Sequence, residues 1–283
     1  MKRTIILTFF ILILTFTKNV FSQVKPASID SIFSEKSEIQ FKFFSNNKSE
    51  INRLSRIISI DNINGDTVKA YANKEEFKRF LNESILYDIL GKEPEVELNM
   101  LSTIDTKNIT SWNFYPTYNA YDSLMQSFMI NFPNLCRVFS IKTLASGRKI
   151  IFAKITANPD SIESEPKILL TSSIHGDELT GYVLMLRLID YLLNNYNTDN
   201  RIKNILDNSE IWINPLANPD GAYKSGNTTV AGAVRYNANN IDLNRNFPDP
   251  QAGQNPDGNQ WQPETVAFMA LADTVKFTVG LNI

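Results

Sequence analysis

Apolar and polar positions along the chain fall into three zones. Behind Lys2 and Arg3 the sequence runs apolar from Ile5 to Phe16, then turns polar from Thr17 to Gln23. A charged start, a short apolar run and a small-residue exit near Ser22 predict a signal peptide over residues 1–22. A membrane span needs roughly 20 apolar residues, more than this run supplies. The expectation is an exported chain, secreted or periplasmic, with no integral membrane span after cleavage. A lipid-anchored form would need a cysteine just after the apolar run, and the single cysteine is Cys136. It sits in an apolar, strand-like stretch and reads as a small buried hydrophobe.

Residues 24–91 carry the spacing of a small α+β module. Ser37–Phe44 alternates loosely and predicts a strand. Ile51, Leu54, Ile57 and Ile58 recur at helical intervals over Glu50–Ile57. Asn64-Gly65 signals a turn, and Thr67–Tyr71 predicts another strand. Asn73 with Glu76 three positions on is a capping pattern for a helix reaching Leu81, and Ser84–Ile89 reads as a strand ended by Gly91 and Pro94. The order βα, one or two strands, then αβ fits a ferredoxin-like sandwich. No chemistry is visible in it, so an accessory or folding-assistance role is expected.

Residues 92–111 are polar and aperiodic, a linker. From 112 to 283 strands and helices alternate. Tyr121, Leu124, Met125, Phe128, Met129 and Phe132 form one helix face that stops at Pro133. Arg137–Thr143 and Lys149–Thr156 read as strands joined by the hairpin turn Ala145-Ser146-Gly147-Arg148, and Asn158–Pro166 as a surface loop. Lys167–Ser172 is a continuous apolar strand of the kind covered on both faces. Leu179–Leu193 predicts a helix and Glu210–Asn214 a strand. Gln262 to about Asp273 predicts a helix with Pro263 in its first turn, and Lys276–Ile283 a final strand. The fold class is α/β: a largely parallel mixed sheet with helices on both faces, preceded by the small module.

Composition narrows the chemistry. At 283 residues the chain admits one large domain or two unequal ones. With 43% hydrophobic and 20% charged residues it is ordinary globular material, neither disordered nor a disulfide scaffold. A net charge of −2 provides no basic field, so no nucleic-acid partner is expected. The single histidine excludes any mechanism that takes two imidazoles from these residues. A serine-hydrolase elbow, a P-loop and a dinucleotide fingerprint are all missing from the sequence.

Ligands of an open α/β sheet bind at the carboxyl ends of its strands. Three polar clusters fall there. His175 and Glu178, at i and i+3 where strand turns to helix, can aim an imidazole nitrogen and a carboxylate at one Zn²⁺ ion. A satisfied core or capping histidine has the same local sequence. Asn214-Pro215 and Asn218-Pro219-Asp220-Gly221 are turn chemistry and read as scaffolding. The third cluster runs from Arg235 to Pro248. There Asn244 and Arg245 offer an amide and a planar fork suited to a carboxylate, and Asp242 can take the outer N–H of His175. A solvated loop with incidental charges is the plainer account.

His175-Gly-Asp-Glu178, Asn218-Pro-Asp-Gly221 and Asp242-Leu-Asn-Arg-Asn-Phe-Pro248, in this order, resemble the zinc metallocarboxypeptidases (carboxypeptidase A/B/N/E-like), with loop wording closest to their regulatory branch. The resemblance covers roughly Trp112 to Ile283. It implies that His175 and Glu178 are two of three zinc ligands and that Asn244 and Arg245 hold the carboxylate of peptide or protein C-termini. It also implies that Arg235 polarises the scissile carbonyl and that Asp242 orients the histidine. The implied reaction is zinc-dependent hydrolysis of C-terminal residues.

The family's second zinc histidine, its late Tyr and its Glu general base have no counterparts here. The closing Gly280-Leu281-Asn282-Ile283 resembles the family strand that leads to that second histidine. The expectation is therefore the N-terminal portion of a catalytic domain, an inactive or incomplete fragment with its third metal ligand missing. Two other readings stand beside it. One is a non-catalytic module that binds peptide C-termini through Asn244 and Arg245. The other is an amidohydrolase on the same scaffold.

Overall fold

The computed structural model describes residues 28–34, 38–91, 98–104, 111–161, 163–250 and 253–283. Its contacts divide it into two compact units, Met1–Lys36 and Ser37–Ile283. In the first, the Ser28 side chain accepts from the Ser31 N–H and caps the one-turn helix α1 (Ile29–Ile32). The predicted leader and much of the predicted linker lie outside the described residues. Among the described residues no helix is long and apolar enough to cross a membrane.

The second unit opens with β1 (Glu38–Phe44), α2 (Lys48–Leu54), β2 (Ser59–Asn64), β3 (Thr67–Asn73), α3 (Lys74–Leu81) and β4 (Tyr87–Ile89). The four strands form an antiparallel sheet in the order β2-β3-β1-β4. Alternation on β1 buries Ile39, Phe41 and Phe43, and the facing β3 buries the smaller Val68, Ala70 and Ala72. Small residues opposite large ones leave room for α3. Its Phe77 and Phe80 pack on Phe41 with ring centroids 5.2 and 4.8 Å away. The capping box of Asn73 and Glu76 forms as expected. The strand predicted over Ser84–Ile89 shrinks to Tyr87–Ile89, because Ser84 takes a left-handed conformation after the helix.

A short parallel ladder of β5 (Met100–Leu101) and β6 (Tyr115–Pro116) leads to α4 (Tyr118–Asn131). There follow β7 (Cys136–Thr143), β8 (Lys149–Ile155), β9 (Lys167–Thr171), α5 (Leu179–Asn195), α6 (Asn200–Asp207), β10 (Glu210–Asn214) and the single turn α7 (Pro219–Ala222). The chain closes with α8 (Pro263–Val275) and β11 (Val279–Asn282). The sheet order is β11-β9-β10-β8-β7. Strand β9 runs parallel to both of its neighbours, whereas β8 is antiparallel to both of its own. The expectation of a largely parallel sheet is thereby corrected to an evenly mixed one. The turn at Gly147, with its positive φ, makes β7 and β8 the expected antiparallel hairpin, and the departure is that this hairpin docks with β8 antiparallel to β10 as well.

Helices cover both faces, as β8 shows by alternation. Ile151, Ala153 and Ile155 join the core beneath α4, α5 and α6, with Tyr121, Phe128 and Leu186. Ile150 and Phe152 point the other way, toward Phe268 of α8. Cys136 is fully buried in the first core, as the sequence suggests.

Phe41 is the ring on which the aromatic cluster of the small sheet converges, and it has no solvent exposure. Phe41→Ala is expected to lower the unfolding free energy by about 3–5 kcal/mol, measured as a fall in the urea midpoint.

Candidate active site

The segment Ser172–Glu178 leaves the end of β9 and turns into α5. Ser173 adopts positive φ, and its hydroxyl donates to the Glu178 carbonyl at 2.8 Å, which closes the loop on itself. Gly176 lies so close to Gly221 that a Cβ there would sit 2.3 Å from the Gly221 carbonyl carbon. The Gly176 N–H and the Asn218 side-chain amide both donate to the Arg235 carbonyl, each at 3.2 Å. The Asn218 oxygen in turn accepts from the Gly221 N–H at 2.9 Å. One main-chain oxygen thus ties together all three polar clusters picked out in the sequence, and Asn218 holds two of them in place.

His175 is buried between two carboxylates. Its Nδ1 lies 2.8 Å from Glu178 Oε1 and its Nε2 lies 3.1 Å from Asp242 Oδ1. Glu178 occupies the cap position of α5 but makes no capping bond, since its side chain is turned to the imidazole. Asp242 caps the 3-10 turn Leu243–Arg245 by accepting the Asn244 N–H at 3.0 Å. Its Oδ2 accepts from Arg235 Nε at 3.2 Å and lies 3.6 Å from Arg245 Nε.

Burial by itself raises the pKa of Asp242. The hydrogen bond with His175 and the charges of Arg235, His175 and Arg245 outweigh it and hold the carboxyl well below the usual carboxylate range. Burial likewise works against a charged His175, but its bonds to Asp242 and Glu178 prevail and raise its pKa. Glu178 is shifted down, its bond to His175 overcoming burial.

His175, Arg235 and Arg245 therefore meet around the carboxylate of Asp242, and Glu178 joins them through the far nitrogen of the imidazole. Asn244 is exposed. It and Arg245 line a cavity of about 840 Å³ that also touches Thr171 and Asn282 at the carboxyl ends of β9 and β11.

With Nε2 engaged by Asp242, Nδ1 and the Glu178 oxygen are left converging, an arrangement that suits a shared proton or two corners of a zinc tetrahedron. Among the described residues no group of three or more His, Cys, Asp or Glu is arranged to hold a metal. Catalytic zinc takes three protein ligands, so the residues present fit part of such a site and leave its third protein position unfilled.

The N-terminal module reaches the site directly. The Ile58 carbonyl accepts from Arg245 Nη2 at 2.9 Å, and the Ser59 hydroxyl donates to Asp242 Oδ2 at 2.5 Å. Glu38 Oε1 accepts from the Arg235 N–H at 3.4 Å, and the Tyr71 ring lies 6.0 Å from the Arg235 guanidinium. Burial and the nearby Asp177 charge push the Glu38 carboxyl up to about 7, against the pull of Arg235. These contacts use a main-chain carbonyl, a hydroxyl and one acid, and none has a characteristic spacing in the sequence.

Residues 121–283 match the family described as zinc carboxypeptidase. The chain belongs to that family. Human carboxypeptidase D is 35% identical over 161 residues, which are 56% of this chain and 11% of that protein. Mouse carboxypeptidase M is 32% identical over 172 residues, covering 60% of this chain and 38% of that protein. The chain thus spans a minor part of either relative. The crystal structure of a carboxypeptidase A from Helicoverpa armigera superposes with a TM-score of 0.61 at 18% identity, over 87% of this chain and 69% of that one. At that identity the shared property is the fold, an α/β mixed sheet with helices, and the overlap reaches beyond the family match into the N-terminal module.

Two outcomes follow for this site. Gly176→Ala forces two backbones apart, so a loss of about 1–3 kcal/mol or more is expected, read by chemical denaturation. Glu38 binds its proton more tightly in the folded chain than when unfolded, so its contribution to stability falls as pH rises from 4.5 to about 7. Unfolding curves across that window should flatten in Glu38→Gln, whose amide does not titrate.

Proposed function

We propose that this chain carries the metal-facing portion of an exported zinc carboxypeptidase centre, which removes the last residue of a peptide. The observation that carries this reading is Asp242, whose two oxygens join the imidazole of His175 to the guanidinium of Arg235, with Arg245 at 3.6 Å. His175 Nδ1 and the Glu178 carboxylate would hold the zinc. When bound there, zinc supplies Lewis-acid activation of water and of the scissile carbonyl. Asp242 keeps the Nε2 proton of His175 in place, so that Nδ1 presents its lone pair. Arg245, with the Asn244 amide beside it, grips the terminal carboxylate, and a clamp at that distance brings only the last peptide bond within reach. Arg235 donates toward the carbonyl oxygen where negative charge develops.

The names of the relatives support a peptide substrate, and the charged, then apolar, then small-residue start of the sequence supports export. The strand order β2-β3-β1-β4 in a βαββαβ sequence supports the ferredoxin-like reading of the first sheet. A second reading, peptide C-terminus binding without turnover, is favoured by the two-donor metal site, because carboxylate recognition by Arg245 needs no metal.

The test uses the full chain with zinc chloride and short peptides bearing either a free or an amidated C-terminus. Free-carboxylate peptides are expected to bind, in competition with the Ile58 carbonyl, and Arg245→Ala to weaken them roughly 10–100-fold. Binding indifferent to amidation would refute the clamp. With its third ligand position unfilled the chain is expected to release no terminal residues, and robust chelator-sensitive release would show that the centre is complete.

A further inference from the structure

Ser59 opens β2, opposite Tyr71 in the ladder, and is fully buried. A hydroxyl has one proton to give, and Ser59 gives it to Asp242 Oδ2 at 2.5 Å, across 183 positions of sequence. The preceding carbonyl, that of Ile58, is held by Arg245 at 2.9 Å, so the backbone that carries Ser59 is fixed against the same cluster. Asp242 then has two donors on each oxygen: the Asn244 N–H and His175 Nε2 on Oδ1, Arg235 Nε and Ser59 on Oδ2. A carboxylate bonded in this way cannot rotate, and its Oδ1 stays aimed at the imidazole. Remove the Ser59 hydroxyl, and Oδ2 keeps only Arg235 and the longer approach of Arg245.

We propose that Ser59, a residue of the N-terminal module, is a positioning residue for His175, acting through Asp242. It touches no substrate. Its effect is to fix the plane of the carboxylate and, through it, the ring whose Nδ1 faces Glu178. The module is thereby part of the support of the metal-facing histidine, and docking of the module and ion binding at His175 are coupled. By thermodynamic reciprocity each strengthens the other by the same factor. The coupling rests on reading His175 as a zinc donor, whereas the relay from Ser59 to His175 does not.

The single histidine makes the test direct, because a full chain labelled with ¹⁵N-histidine shows one imidazole. The measured quantity is the exchange of its Nε2 proton with solvent in the unaltered chain, Ser59→Ala, Ser59→Thr and Ser59→Cys. Exchange is expected to quicken about tenfold in Ser59→Ala, as loss of one hydrogen bond to a charged group implies, and to return in Ser59→Thr, while the near-ultraviolet circular dichroism stays unchanged. Should the alanine variant not fold, Ser59→Cys, a near-isostere with a weak donor, is expected to show the same quickening. Unchanged exchange in both, or a threonine variant as fast as alanine, overturns the relay. Zinc chloride is then titrated into each folded variant. A zinc midpoint about tenfold higher without the Ser59 donor supports the coupling, and equal midpoints overturn it. A histidine signal that zinc never moves refutes the metal reading and leaves the relay standing.

Discussion

A carboxylate with almost no access to water is the constraint around which the site is arranged. Burying a charge is expensive unless donors replace the water it loses, and Asp242 recovers them from four directions. Each donor comes from a different stretch of chain: the start of β2, the loop after β9, the Arg235 segment and the 3-10 turn itself. Because the loss of any one donor weakens what replaces water around the buried charge, the stretches are held to one another. The geometry of the histidine follows from this requirement that the carboxylate be fully bonded.

Close backbone approach does the rest. The contact between Gly176 and Gly221 brings two loops within a distance that no side chain would permit, and the Arg235 carbonyl receives a donor from each. The sheet below supplies the platform. Parallel strands β9, β10 and β11 end on the same side, so loops leaving β9 and β10 meet without long excursions.

Much of this was legible in the sequence. The helix face ending at Pro133, the capping pair Asn73 and Glu76 and the apolar strand of β9 announce themselves by spacing, and the approach of Asp242 to the outer nitrogen of His175 follows from residue type. What stayed hidden has a common cause. The direction of β8 relative to β10 depends on how a hairpin docks, which no local pattern encodes. Strand β2 is buried only at its first residue and exposed over most of its length, so it shows no alternation. The contribution of Ile58 rests on a carbonyl that every residue possesses, and a serine before an apolar residue has no distinguishing neighbourhood.

The lone thiol of Cys136 has its own consequence. Enclosed beneath α4, it is pushed up to about 12 by burial, so at neutral pH it stays a thiol. Shielded in this way, the sulfur is a poor partner for disulfide exchange while the chain is folded. Only unfolding hands this one atom to an external oxidant.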